Sequence, residues 1–215
     1  MSFYRGLPRN FKTELSTQRQ RSSLLPIPVY KNTAVDDRRA SRRYVRVRTG
    51  PRRSRRVFTG LKHQCVELAR RWCVRAHNTT FKEVDNASDI MSLRRGKCVV
   101  CGRPVRLDAR PISAGSDVKR GDLLVWNRGR PGPYRKTGHV AVVLKTGTAG
   151  AGAGVGAGAG AGERITVAEQ NGTTRNGHRA LALNSRTRRA LAGRVRVLRT
   201  DAHRHHHHHH SHHHK

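Results

Sequence analysis

Two β-branched runs bracket a long stretch of alternating glycine and alanine, and this arrangement limits the fold more than any other feature of the chain. Val140–Leu144 and Arg164–Val167 read as strands. Between them, Thr146–Gly162 offers almost no side chain able to build a core, so it is expected to be a flexible loop tip. An antiparallel hairpin follows. If Leu144 pairs with Arg164, then His139 pairs with Glu169, with Cβ atoms about 4.5–5.5 Å apart. A slip of one residue would place the two side chains on opposite faces. In the expected register the carboxylate fixes the imidazole tautomer and leaves the other ring nitrogen for a further partner.

A second periodic segment supplies a candidate for that partner. Cys65, Leu68, Ala69, Trp72, Cys73 and Ala76 recur at helical spacing and share one face, with Glu67, Arg70, Arg71 and Arg75 on the other positions. Asn78 is the expected stop. Gly60 and the unpaired amides of the first turn lie near Cys65. A thiol there sits at the positive end of the helix dipole, which favours thiolate, and the same amides can hold an oxyanion. On helix position alone, Cys65 reads more simply as a small buried residue like Cys73. The histidine and carboxylate segments favour a nucleophile, because a thiol, a base and an orienting acid are the parts covalent thiol catalysis needs.

The ordered segments Gly60-Leu61-Lys62-His63-Gln64-Cys65-Val66-Glu67-Leu68-Ala69-Arg70-Arg71-Trp72, Asp89–Leu93, Gly121–Trp126, Thr137–Val143 and Val167–Asn171 resemble the CHAP amidases, the cysteine, histidine-dependent amidohydrolases/peptidases. Within that superfamily the chain is similar to the amidase domain of glutathionylspermidine and trypanothione synthetase-amidases, and to stand-alone D-alanyl-glycyl endopeptidase-like proteins. The resemblance runs from about Tyr44 to Leu198. It implies an α+β, papain-like domain in which N-terminal helices pack on an antiparallel sheet of 122–126, 139–144, 164–169 and 194–198. It also implies that Cys65 is the nucleophile, His139 the base and Glu169 the residue that orients it. Gln64 with the Cys65 amide would form the oxyanion hole, Asn171 would support the site, and Arg70 would contact a substrate carboxylate. No metal or organic cofactor is implied. His63 departs from the family's usual aromatic, and the Gly/Ala expansion departs from its short hairpin turn. Ligase activity is not implied.

Composition sets the remaining expectations. One domain over residues 44–200, with a basic arm at 1–43 and a His-rich tail at 201–215, suits 215 residues. The net charge is +32, and residues 1–59 carry 16 Lys/Arg against 3 Asp/Glu. The arm is expected to be largely disordered and to bind nucleic acid, anionic membrane or other polyanions without selectivity, if it binds anything. No RNP, zinc-finger or helix-turn-helix pattern accompanies it, and aromatics at 5% suggest no stacking platform. Met1–Lys12 has no apolar core and Ser23–Tyr30 is too short to span a membrane, so a reducing, cytoplasmic setting is the default. Cys98 and Cys101 look like half a zinc knuckle, but no second pair follows in register, and reduced structural or idle thiols are expected. The nine histidines within 205–214 are either a tag or native low complexity.

Two amide substrates fit these parts: a glutathione–polyamine conjugate and a D-alanyl–glycyl peptide of cell-wall type. The motif match favours the first. The charge of +32 favours the second, since a polyamine conjugate is a cation, unless Glu67, Glu83, Asp85 and Asp89 reverse the field at the site. A basic binding protein on an inactive amidase scaffold is the non-enzymatic alternative.

Overall fold

A computed structural model describes residues 27–30, 42–112, 118–130, 132–147, 163–172 and 177–198. The fold is α+β. A two-stranded hairpin, β1 (Arg42–Arg48) and β2 (Ser54–Leu61), leads into the helix α1 (Cys65–His77). After the short strand β3 (Thr79–Thr80) and a 3-10 turn (Ala87–Ser92), the chain builds β4 (Arg95–Cys98), β5 (Pro104–Arg110), β6 (Leu123–Trp126), β7 (His139–Gly147), β8 (Arg164–Ala168) and β9 (His178–Ala182). A short helix, α2 (Ser185–Ala190), precedes β10 (Leu191–Leu198). Strands β3 to β10 form one antiparallel sheet in the order β3-β4-β5-β10-β6-β7-β8-β9.

The sheet is covered on both faces at its centre. Leu123, Val125, Val140, Val142 and Val195 pack with Leu68, Ala69, Trp72 and Cys73 of α1. On the opposite face, Leu124, Trp126, Ala141, Val143, Ile165 and Val167 pack with Leu183 and Leu191. Central strands buried on both sides read as continuous apolar runs, as Leu123–Trp126 and Val140–Leu144 do. The helix starts at Cys65 and ends where Asn78 turns left-handed (φ 49°), with its amide donating to Cys73 and Val74 carbonyls.

Three expectations need correction. Among the described residues the N-terminal half is not mainly helical: α1 is its one full helix, and 42–61 is a β-hairpin. Val45, Val47 and Val57 alternate inward there and pack on Val74 and Val99, a strand signal that the density of arginines obscured. The stretch taken as a free arm contains Ile27–Tyr30, which docks on the domain: Val29 is buried, and Tyr30 N donates to Gln170 Oε1 at 3.1 Å. The remainder of 1–41, the Gly/Ala stretch beyond Gly147 and the His-rich tail lie outside the described residues.

The third correction is the hairpin register. Val142 faces Ala168 and Val143 faces Val167, after which a bulge at Leu144 makes Lys145 face Thr166 and Gly147 face Arg164. Leu144 therefore does not pair with Arg164. The site end is offset by two residues from the expected pairing, and an even offset preserves which face each side chain takes. His139 and Glu169 remain on one face as diagonal neighbours.

Candidate active site

Cys65 is the first residue of α1, and its thiol is buried against the sheet. Gln64, in extended conformation (φ −83°, ψ 151°), brings the chain into the helix, and its carbonyl accepts from Leu68 N. Two conformational requirements set this approach. His63 is left-handed (φ 66°), and Gly60 (φ 134°) lets Glu67 approach so closely that a Cβ there would lie 3.2 Å from the Glu67 Cα.

His139 opens β7. Gly138 before it is left-handed (φ 69°), and a Cβ at that position would meet the Trp126 carbonyl oxygen at 2.6 Å and Ser88 N at 3.0 Å. The imidazole is 1% exposed, with Tyr134 stacked on it at 4.1 Å (5° between planes) and Trp126 tilted against it at 5.4 Å. Its Nε2 lies 3.2 Å from Glu169 Oε2. A proton held on Nε2 by that carboxylate leaves Nδ1 for the thiol.

The protonation energetics of the pair point one way. Burial would raise the Cys65 pKa, but the hydrogen bond and charge of His139, with the amides of Val140 and Val66, bring it below the ordinary thiol value. Burial would lower the His139 pKa, but hydrogen bonds and charge from Cys65 and Glu169 bring it above the ordinary imidazole value. Each group favours the ionised form of the other, so the site is built for a thiolate–imidazolium pair. Cys73, eight residues along the same helix, shows what burial does without such a partner: its thiol is pushed up to about 12.

Glu169 is fully enclosed, and its amide donates to the Gly177 carbonyl at 2.7 Å. Arg179 Nη2 lies 3.1 Å from the same Oε2 that faces His139, and its guanidinium sits over the Trp126 ring at 5.3 Å. Asn171 is left-handed (φ 53°) and donates from Nδ2 to Gln64 Oε1 at 3.0 Å. Gln64, Cys65, His139, Glu169 and Asn171 are thus brought together. Arg70 is 7% exposed and engaged with Phe58, Phe81, Thr80 and Glu83.

Sequence reasoning passed over three residues here. Tyr134 and Arg179 flank the imidazole and its carboxylate from a turn and from a strand whose pairing was not foreseen. Gln170 is the third. Its side chain donates to the Gln64 carbonyl and to Glu67 Oε2 (3.1 Å each) and accepts from Arg71 Nη2 at 2.8 Å. Glu67 is fully buried, bonded to Arg71 Nε at 2.8 Å and to the Thr59 hydroxyl at 3.1 Å. The supposed polar side of α1 is therefore an enclosed charge network that fixes the helix start to the strand end carrying Glu169.

Cys98 and Cys101 stand apart from this cluster, in the turn between β4 and β5, where Cys101 N donates to Cys98 Sγ at 3.5 Å. Among the described residues no group of three or more metal-ligating side chains gathers. No helix of the described residues is long and apolar enough to cross a membrane.

Comparison with known proteins places this geometry. A family model described as the CHAP domain matches residues 56–171. The bifunctional glutathionylspermidine synthetase/amidase of Escherichia coli (strain K12) is 32% identical over 114 residues, and that of Shigella flexneri matches to the same extent. The match covers 53% of this chain but 16% of either relative, so the chain spans only a small part of their length.

Proposed function

Since this chain belongs to the CHAP domain family, we propose that it is a cysteine amidohydrolase that cleaves an amide bond through an acyl-thioester on Cys65. The observation that carries the reading is the continuous contact from the Cys65 thiol through His139 to Glu169, with the shifts that favour an ion pair.

In this reading the Cys65 thiolate attacks the amide carbonyl. The oxyanion is held by the Cys65 N–H, which has no acceptor within the helix, and by the Gln64 side-chain NH2. Asn171 occupies the Gln64 carbonyl oxygen and so fixes which branch of that amide presents donors. The His139 imidazolium gives its proton to the leaving amine. It then takes a proton from water, which releases the acid and restores the thiolate. Glu169 keeps the imidazole oriented throughout. The order of parts, a thiol at a helix start facing a histidine at a strand start, is papain-like.

The preferred substrate is a glutathionylspermidine-type amide, which the likeness to the synthetase/amidases supports. One observation favours the D-alanyl–glycyl peptide instead. Glu67, one of the four acids that could have reversed the field at the site, is fully buried and neutralised by Arg71, so it presents no charge to the cleft. Incubating the full chain and its Cys65→Ala variant with glutathionylspermidine and with D-alanyl-glycyl peptides, and measuring released amine, separates these readings. Release from glutathionylspermidine that vanishes in Cys65→Ala supports the first. Release from the peptide alone establishes the second. No Cys65-dependent release from either overturns the amidase assignment. Thiol labelling is a weaker test, because Cys101 is exposed and its own pKa is lowered: burial would raise it, but the Arg103 amide, Cys98 and the Arg103 charge together outweigh that.

A further inference from the structure

The hairpin β1–β2 carries an arginine surface that the catalytic reading does not use. Residues 42–62 hold nine Lys/Arg and no Asp or Glu. Val45, Val47 and Val57 turn inward onto Val74 of α1 and Val99 of the β4–β5 turn, so the ribbon is fastened to the domain. Period two then places Arg42, Tyr44, Arg46 and Arg48 of β1 on the outward side, with Phe58 opposite Tyr44 and Arg56 opposite Arg46. All four arginines of that face, with Arg52 and Arg53 at the turn, are exposed. Arg43, which turns inward, reaches Glu67; among the described residues no carboxylate pairs with the outward set.

Two features occur together on this face; the first is shared with Arg95 and Arg106 of β4 and β5, and the second sets the face apart. Arg46 and Arg56 are directly opposed across the strands, a like-charge pairing that destabilises a ribbon unless an anion lies between them. The arginines also alternate with rings. Tyr44 is 39% exposed, one of two large hydrophobic side chains so exposed among the described residues, and it pairs with Phe58 at 5.4 Å. Arg56 lies over Tyr44 at 4.5 Å and Arg42 over Phe58 at 5.5 Å. A low aromatic content argued against a stacking platform. The fold nevertheless gathers two of the few rings on one ribbon between guanidinium groups.

We propose that the outward face of β1–β2 is a binding surface for single-stranded nucleic acid, with Arg46, Arg48 and Arg56 on phosphates and a base stacked at Tyr44. Phosphates supply the anion that the Arg46–Arg56 opposition lacks, and any base can stack on a ring, so such a surface binds without strong sequence preference. A lipid surface would use the arginines but gain nothing particular from a Tyr44–Phe58 pair flanked by guanidinium groups. A duplex keeps its bases stacked on one another and out of reach of the rings.

The test uses the full chain and fluorescence anisotropy of a fluorescein-labelled 20-nucleotide oligodeoxythymidylate over a range of salt. Arg46→Gln/Arg48→Gln/Arg56→Gln is compared with Arg103→Gln/Arg130→Gln/Arg186→Gln, which removes the same charge from exposed positions elsewhere that do not oppose one another. The ribbon triple should weaken binding about tenfold or more near physiological salt and reduce the slope of log affinity against log salt by about two, the value for three lost phosphate contacts on a single strand. The control triple should cost less than about threefold, in line with the short reach of screened charge. Tyr44→Leu keeps an apolar side chain on the ribbon and should weaken binding about fivefold with the salt slope unchanged, as loss of one stacked base does. Equal losses from the two triples would overturn the proposal. So would unaltered binding by Tyr44→Leu, or equal affinity per phosphate for a 20-base-pair duplex or for phosphatidylserine vesicles. Amidase turnover by the ribbon variants should equal that of the unaltered chain.

Discussion

His139 and Glu169 meet as diagonal neighbours across the β7–β8 pair, with Nε2 and Oε2 3.2 Å apart, and not as a directly opposed pair. Diagonal positions lie about 7–8 Å apart at the backbone, within reach of a long side chain meeting a ring. Glu169 sits one residue beyond the end of β8, and its side chain spans the offset.

Replacing Glu169 with Gln should leave the fold intact and lower kcat about 10- to 100-fold, since orientation of the imidazole is retained in part while the charge opposite it is lost. The pH profile carries the sharper expectation. Glu169 helps hold His139 above its ordinary pKa, and the imidazolium in turn holds Cys65 below its own. Without the carboxylate, His139 loses its proton at lower pH and Cys65 loses its proton at higher pH. The plateau of kcat/KM should therefore narrow from both sides, which a pH–rate series will show. An unchanged profile would remove Glu169 from the catalytic unit.

Tyr134 should matter through orientation. Its ring lies parallel to the imidazole at 4.1 Å, and such contacts contribute about 0.5–1.5 kcal/mol. Tyr134→Leu should therefore reduce kcat roughly 3- to 10-fold with little change in KM. Tyr134→Phe, which keeps the stacked ring, should stay within about twofold of the unaltered chain.

Stability should be most sensitive at Glu67. Its removal as Glu67→Gln leaves Arg71, 3% exposed, without a balancing charge, and breaking a buried pair in this way costs about 3–5 kcal/mol. Thermal unfolding should move down by roughly 10 °C, on the scale expected for a domain of this size. Glu67→Gln combined with Arg71→Met should recover part of the loss, because the uncompensated charge goes with it.

Gly138→Ala couples backbone strain to the site. The added methyl group meets the Trp126 carbonyl and Ser88 N, at a left-handed position next to His139. A loss of about 1–3 kcal/mol is expected. Turnover should fall further than the fraction folded, as circular dichroism and activity measured on the same sample will show.

Local periodicity made part of this molecule legible. The apolar repeat from Cys65 to Ala76 predicted α1 and its stop at Asn78, and the β-branched runs predicted β7 and β8. Cys65, His139 and Glu169 could be singled out because each sits at the end of such an element, where side chains of different elements converge. What escaped depends on contacts between elements. The register slipped because a bulge at Leu144 leaves no sequence mark, and Arg179 reaches Glu169 only through the β8–β9 pairing. Glu67 and Arg71 looked like a solvated face because charge pattern does not reveal that two opposite charges are enclosed together with Gln170. The arginines of β1 and β2 hid an ordinary inward alternation of valines.

The bulge at Leu144 gives the β7–β8 ladder a mechanical break. It divides the β7–β8 ladder into a segment that carries His139 and a segment that ends at Gly147 and Arg164. The Gly/Ala tract lies just beyond Gly147, where insertions or deletions in it would enter the ladder. Each such event acts first on the outer segment, where the ladder has already changed register once. A change in the tract's length should therefore strain the outer segment before it disturbs the segment that carries His139.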